Sequence, residues 1–314
     1  MKILLVRNDN FGDLLCTTPA IEALRKAYPF AQIDIVVNSY NFLAIRKNPF
    51  VNCVYVYTKP KHEKTILAKV KAFSGKLALF GKIFRIGYDI AVVFRSSYSP
   101  YAEQFSVVSR AKTRIGVKNP KGEDYFTYHV IPKEGEHEVE FCYRCLEPLK
   151  VFYGGEKLWF YLEDEYVEKY ASYGIELLFH LSSRRKENRL STNNLLKLCK
   201  KIKNAGIKLS LTAAPGDREI ARALENELKV SFIETPTILD LAGAIKNAKL
   251  FLTLDGGTVH LGPALGVKTI AVFGSTPLER WYPWGYKELT IKSKTGNVND
   301  IDLEEILQKV EANI

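Results

Sequence analysis

Three clusters of residues have the types and spacing to do chemistry. The first is Phe11-Gly12-Asp13, directly after the apolar run Ile3–Val6. Gly12 permits a tight turn, and Asp13 stands where a helix begins. A carboxylate at that place is either a helix N-cap, for which aspartate is a preferred residue, or a general base. The second cluster is Asp255-Gly256-Gly257-Thr258-Val259-His260, again after an apolar run. It reads either as a glycine turn with an aspartate cap or as a ligand site. In the ligand reading, Asp255 binds sugar hydroxyls and a helix starting near Thr258 turns its positive end toward phosphate. The third runs from His180 to Arg189 and holds Ser182, Ser183, Arg184, Arg185, Lys186 and Arg189. Two hydroxyls and four cations suit a pyrophosphate; the alternative is a solvated basic loop.

Other chemistries lack their residues. There is no G-x-x-x-x-G-K-[ST] and no G-x-G-x-x-G, so neither P-loop hydrolysis nor ordinary dinucleotide binding is supported. There is no H-E-x-x-H, and Cys142-x-x-Cys145 has no second pair to complete a zinc site. We read those two thiols as packing residues. Asp300-Ile301-Asp302 caps the last helix rather than binding metal, and no metal site is expected. His62, His129 and His137 fall into no interpretable arrangement.

The elements that must position these clusters alternate. Lys2–Arg7, Gln32–Val37, Val54–Tyr57 and Tyr88–Phe94 read as strands, with helices at Asp13–Ala27 and Ile66–Ile86. The pattern then restarts. Strands are expected at Ile175–Leu181, Ile207–Ala213, Leu250–Leu254 and Val267–Phe273. Helices are expected near Glu163–Ser172, Asn193–Asn204, Arg218–Leu228, Ile238–Asn247 and Asp302–Glu311. Such βαβα order implies parallel sheets covered by helices on both faces. Two α/β domains are expected, 1–160 and 161–314, with a cleft between them and ligands beyond the carboxyl ends of the strands.

The chain has 314 residues, 46% apolar and 25% charged, which suits a folded globular protein and excludes wholesale disorder. Five scattered cysteines suggest a reducing compartment. No apolar run approaches the ~20 residues of a spanning helix, and the N-terminal residues do not form a signal-peptide core. A cytoplasmic protein is expected. The formal charge is +10, from 45 basic and 35 acidic residues, and points to an acidic partner. The excess concentrates between Lys59 and Arg85, where eight basic residues accompany one acid, Glu63. This stretch also carries Leu67, Val70, Phe73, Leu77, Phe80 and Phe84. It is either a membrane-surface helix or a domain helix with a lysine-rich outer face.

Two long segments resemble glycosyltransferase family 9, the lipopolysaccharide heptosyltransferases. One runs from Ile3-Leu4-Leu5-Val6-Arg7 through Gly12-Asp13-Leu14-Leu15 to Arg25 and Pro29. The other runs from Asp255-Gly256-Gly257-Thr258-Val259-His260 through Phe273-Gly274-Ser275-Thr276 to Trp281-Tyr282-Pro283-Trp284-Gly285. The resemblance implies a GT-B fold, with an acceptor-binding N-terminal domain and a nucleotide-sugar-binding C-terminal domain. It implies Asp13 as catalytic base and Asp255, Gly256, Gly257, Thr258 and His260 as donor contacts. In the middle motif it implies a lysine or arginine on the diphosphate, and here Lys186 and Arg189 both qualify, beside Ser182 and Ser183. The chain departs from the family there: Ser182 stands near a usual glycine, and Leu190-Ser191 replaces a Trp-Pro pair. Asp217, in Pro215-Gly216-Asp217, is a further nucleotide contact by the same resemblance.

The implied activity is inverting, metal-independent transfer of heptose from ADP-heptose to the inner core of lipopolysaccharide. The nucleotide sugar is a substrate, so no cofactor is expected. The implied partners are a lipid A/Kdo-type phosphorylated glycolipid and an anionic membrane surface, met from the cytoplasmic face; nucleic acid is not expected. The alternatives are transfer of another sugar from another nucleotide, or a sugar-nucleotide epimerase on the same two-domain plan.

Overall fold

The computed structural model describes residues 1–60 and 63–314, so Lys61 and His62 lie outside the described residues. The chain forms two compact units, Met1–Tyr161 and Leu162–Ile314.

Unit 1 contains β1 (Lys2–Val6), α1 (Phe11–Ala27), β2 (Gln32–Asn38), β3 (Cys53–Tyr57), α2 (Ile66–Ile86) and β4 (Ile90–Val93). It continues with α3 (Pro100–Val108), β5 (Thr113–Val117), β6 (Tyr128–Val130) and α4 (Glu138–Arg144). Its six strands run in the order β3-β2-β1-β4-β5-β6 and pair in parallel. Ile3 sits opposite Ile33 on one side and Ile90 on the other. A strand flanked on both sides and covered on both faces must be apolar throughout, and Ile3, Leu4, Leu5 and Val6 are fully buried.

Unit 2 opens with α5 (Asp164–Ala171), β7 (Leu177–His180), α6 (Thr192–Asn204), β8 (Leu209–Thr212), α7 (Arg218–Leu228) and β9 (Ser231–Phe232). It continues with α8 (Ile238–Lys246), β10 (Leu250–Leu254), α9 (Leu261–Ala264), β11 (Lys268–Phe273), α10 (Leu278–Trp281), β12 (Thr290–Lys292) and α11 (Leu303–Glu311). The sheet order β12-β11-β10-β7-β8-β9 repeats that of unit 1, read from the other edge. Both sheets are therefore doubly wound, with the strand order reversing between β1 and β4 and between β7 and β10. A crevice forms at that switch point, beyond the strands' carboxyl ends. These two six-stranded parallel sheets are the α/β architecture of a GT-B fold.

Local chemistry explains two irregularities. Pro19 lies inside α1 and has no N–H for the Leu15 carbonyl; the Thr18 hydroxyl takes that carbonyl at 2.7 Å. The helix survives because it is buried on nearly every side. On α8, Gly243 lies so close to α5 that a Cβ would come within 2.2 Å of the Tyr166 carbonyl oxygen. Only glycine lets those two helices approach that far.

The structure adds elements that the sequence pattern does not mark. Residues 95–157 carry α3, β5 and β6, none of which the periodicity marks, and α4, the helix that holds Cys142 and ends at Cys145. Beyond α4 the chain returns to α1, where Trp159 N–H bonds the Thr18 hydroxyl at 2.9 Å, and Leu158 and Phe160 are buried. Helix α11 is capped by Asp302, as the Asp300-Ile301-Asp302 segment leads us to expect; it accepts from the Glu304 N–H at 2.9 Å. Asp300 instead accepts from the Thr295 hydroxyl at 2.6 Å. No helix among the described residues is long and apolar enough to cross a membrane.

Candidate active site

In unit 1 the site is organised by Arg7, the first residue after β1. Its side chain is fully buried and ion-paired to three carboxylates: Asp9 at 2.8 Å, Glu138 at 2.8 Å and Asp13 at 3.1 Å. It also donates to the Phe94 carbonyl at the end of β4. A fork of donors fixed in one plane suits this multidentate role. Burial costs a cation, yet the surrounding carboxylates hold the Arg7 guanidinium well above its ordinary range. Burial pushes the Asp9 carboxyl up to about 7; Arg7 opposes this and the charge of Asp13 adds to it.

Asp13 does not open its helix. The helix α1 begins at Phe11 with Asn10 as N-cap, which places Asp13 within the first turn. The capping reading of Asp13 therefore fails, because its Oδ1 is held by Arg7 Nη2 instead. Gly12 is not a turn residue either; it is a buried position of the same turn. The other oxygen of Asp13, Oδ2, meets no donor among the described residues, and the side chain is 16% exposed. One oxygen is tethered and the other is open.

In unit 2 the site is organised by Asp255, the residue after β10. Its Oδ2 accepts from Asn188 Nδ2 at 2.5 Å and from the Thr276 hydroxyl. Its Oδ1 has no donor among the described residues. Burial pushes its carboxyl up, while the Thr276 hydroxyl and the cations Arg185 and Lys292 pull it back. Lys292, at the end of β12, donates to the Gly274 and Thr276 carbonyls at 2.5 and 2.6 Å. Burial pushes the Lys292 ammonium down, and Asp255 opposes. A Cβ on Gly274 would come within 2.5 Å of Asn188 Oδ1 and 3.0 Å of the Glu187 carbonyl. A side chain there would displace the amide that holds Asp255.

The basic loop after β7 wraps the same carboxylate. The Ser183 hydroxyl donates to the Asp255 carbonyl at 2.6 Å, and Arg189 Nε donates to the Ser183 carbonyl at 2.6 Å. Arg189 also pairs with Asp217 at 3.3 Å. Ser182 is turned inward, its hydroxyl accepting from the Ala214 N–H at 2.9 Å. Arg184, Arg185 and Lys186 are exposed, with Lys186 beginning a short turn of 3-10 helix, Lys186–Asn188. Thus Ser183, Arg189, Asp217 and Asp255 form one connected set, and Ser182 supports it from below.

The Asp255–His260 turn differs from expectation. No long helix begins at Thr258; Gly257–His260 is a 3-10 turn followed by the four-residue α9. A dipole builds up over aligned turns, so this element offers little of one. Gly256 is extended (φ 166°) rather than left-handed. Thr258 shares a hydroxyl hydrogen bond with Thr253 at 2.9 Å, and His260 is buried with its ring 6.0 Å from Trp281. Thr258 and His260 therefore brace the turn, and the Asp255 carboxylate is the group it presents. Among the described residues no group of three or more His, Cys, Asp or Glu side chains is placed to hold a metal ion.

The profile described as glycosyltransferase family 9 (heptosyltransferase) matches residues 125–311. The chain belongs to this family. It is a glycosyltransferase. Among family 9 relatives, lipopolysaccharide heptosyltransferase 3 of Escherichia coli K12 is 25% identical over 290 residues, which cover 87% of this chain and 82% of the relative. Solved structures agree on the fold. The family 9 glycosyltransferase of Veillonella parvula superposes with a TM-score of 0.84 at 19% identity, over 99% of this chain and 96% of that one. The E. coli heptosyltransferase WaaC with ADP gives 0.82 at 16% identity, over 100% of both chains.

Residue spacing alone did not mark Arg7, Asp9, Glu138, Asn188, Thr276 or Lys292. A faint signal for Arg7 exists: a cation closing a wholly apolar strand must find acids in the fold. Nothing comparable marks Asn188 or Lys292.

One residue of the loop has a measurable pH signature. Burial pushes His180, at the end of β7, down to about 4, with Asp217 opposing, and its Nδ1 has no hydrogen-bond partner among the described residues. The folded state thus holds a neutral imidazole, while an unfolded histidine titrates near ~6.5. Between those values the unfolded chain binds the extra proton, so acid destabilises the fold. We expect stability relative to His180→Gln to fall by about 1.4 kcal/mol per pH unit as pH drops from 6.5 toward 4. Denaturant titrations of both proteins across that window check it; a constant difference means His180 is already charged in the fold.

Proposed function

We propose that this family 9 enzyme moves a heptose from ADP-heptose onto the inner core of lipopolysaccharide, with inversion and without a metal ion. The observation that carries this reading is Asp13, one oxygen fixed by a buried guanidinium and the other open. Such a carboxylate is built to receive a proton without reorienting.

The acceptor hydroxyl gives its proton to Asp13 Oδ2 as its oxygen attacks the anomeric carbon. The bond from that carbon to the diphosphate breaks, and its electron pair leaves with ADP. A single displacement inverts the anomeric centre. The developing phosphate charge is met by the exposed cations Arg184, Arg185 and Lys186 and by Arg189. Asp255 Oδ1 accepts a hydroxyl of the donor. The relatives support the sugar and the acceptor: one is named for heptose transfer to lipopolysaccharide, and another was solved with ADP. The acceptor is then a phosphorylated, membrane-borne glycolipid reached from the cytoplasmic face.

The test is thermal stability against ADP, UDP, GDP, dTDP and NAD. A ligand at ~100 times its dissociation constant adds about 2.7 kcal/mol. Selective stabilisation by ADP is the expected result. Selective stabilisation by another nucleotide overturns the ADP-heptose donor while leaving glycosyl transfer in place.

A further inference from the structure

Helix α2 has two apolar faces. Ala72 and Ile83 are buried, Ile83 within the core cluster of the sheet, with Leu79 and Phe80 packed against that cluster. A second line, Ile66, Val70, Phe73, Leu77 and Phe84, recurs at helical spacing on a different face. These side chains are 82, 59, 57, 51 and 52% exposed; the Arg110 guanidinium lies over the Phe84 ring at 5.0 Å, and the other four form an open stripe among the described residues. Single exposed apolar residues are ordinary, but a continuous stripe is not.

The charges around the stripe are one-sided. Within Ile66–Ile86 there are Lys69, Lys71, Lys76, Lys82 and Arg85, and no acid. At 100° per residue, Lys69 falls beside the stripe on one flank and Arg85 on the other, whereas Lys76 bonds Gln104 Oε1 at 2.9 Å and Lys82 lies over the Tyr55 ring. A second copy docking here would set cations against cations, which disfavours that pairing. An anionic lipid surface meets both features, with apolar side chains entering the acyl boundary and flanking cations held at the phosphates.

We propose that the outer face of α2 docks unit 1 on an anionic lipid bilayer, lying in the interface without crossing it. The proposal deepens the reading of a membrane-borne acceptor and rests on that reading for its purpose.

The experiment is co-sedimentation with phosphatidylcholine vesicles, with and without phosphatidylglycerol, at low and high salt. Two variants accompany the wild type: Val70→Ser/Phe73→Ser/Leu77→Ser, and Lys69→Glu/Arg85→Glu. ADP-induced thermal stabilisation is read on all three to report folding and the unit 2 site. We expect salt-sensitive binding to the anionic vesicles only, weakened about tenfold or more by either variant. Absent binding, binding that neither variant weakens, or a wild-type dimer that the serine variant dissolves would each overturn the proposal. Failure of the ADP response with intact vesicle binding strikes the donor reading and leaves the docking face standing; the converse result strikes the docking face alone.

Discussion

Asp13→Asn is expected to lower sugar transfer by about 10²–10⁴-fold, the range for removing a positioned general base. The change is nearly isosteric. Asparagine can still accept from Arg7 Nη2, which now meets Asp13 at 3.1 Å, so the first turn of α1 keeps its anchor. The lost property is basicity at Oδ2. Thermal stabilisation by ADP should stay unchanged, because the proposed diphosphate contacts belong to unit 2 and Asp13 to unit 1. Product formation from ADP-heptose, measured beside that stabilisation, separates the two properties. Transfer within about tenfold of wild type would remove Asp13 from the base role.

Arg7→Met should have the largest effect on stability. The substitution takes a buried cation at 2.8 Å from the buried side chain of Glu138 and takes from Asp9 its nearest one. It also leaves the Phe94 carbonyl without its guanidinium donor. Removing one partner of a buried ion pair costs roughly 3–5 kcal/mol, because the remaining charge is stranded. Urea unfolding near neutral pH measures it. Adding Glu138→Gln to Arg7→Met should recover part of the loss, since it removes the stranded charge instead of a contact. The deficit should also shrink as pH falls. The Asp9 carboxyl, already raised to about 7, is raised further without Arg7, and its penalty disappears once it is protonated. A loss under about 1 kcal/mol, the worth of an exposed pair, would mean that water reaches these carboxylates.

The framework was legible because it is periodic. The bounds of α2, α7 and β10 coincide with the apolar periods in the sequence, and a central parallel strand has to be a continuous apolar run. Residues 95–157 were not legible for a matching reason. Strand β6 has three residues, two of them exposed, and carries no period that can be recognised. The site was half legible. Asp13 and Asp255 stand at strand ends beside diagnostic neighbours. Their partners come from afar: Glu138 is 131 positions from Arg7, and Asn188 is 67 from Asp255. Such pairings are set by sheet order, which a linear pattern does not carry. The chemical reading of Asp13 as a cap failed because capping rules describe a helix alone, without a guanidinium beneath it.

The contiguity of the two units bears on how the protein is made. Each unit is one uninterrupted stretch of chain, so the first can finish before the ribosome has delivered the second. Within that first stretch the oldest strand waits longest. Strand β1 leaves the ribosome first and can pair with β2 once Ile33 has emerged, but its other edge stays open until Ile90 arrives. During that interval a strand with four consecutive apolar residues presents an unpaired edge, the feature that draws unwanted strand pairing and chaperones. The same central placement that brings Asp13 to the switch point thus leaves β1 half-paired while the middle of unit 1 is being made.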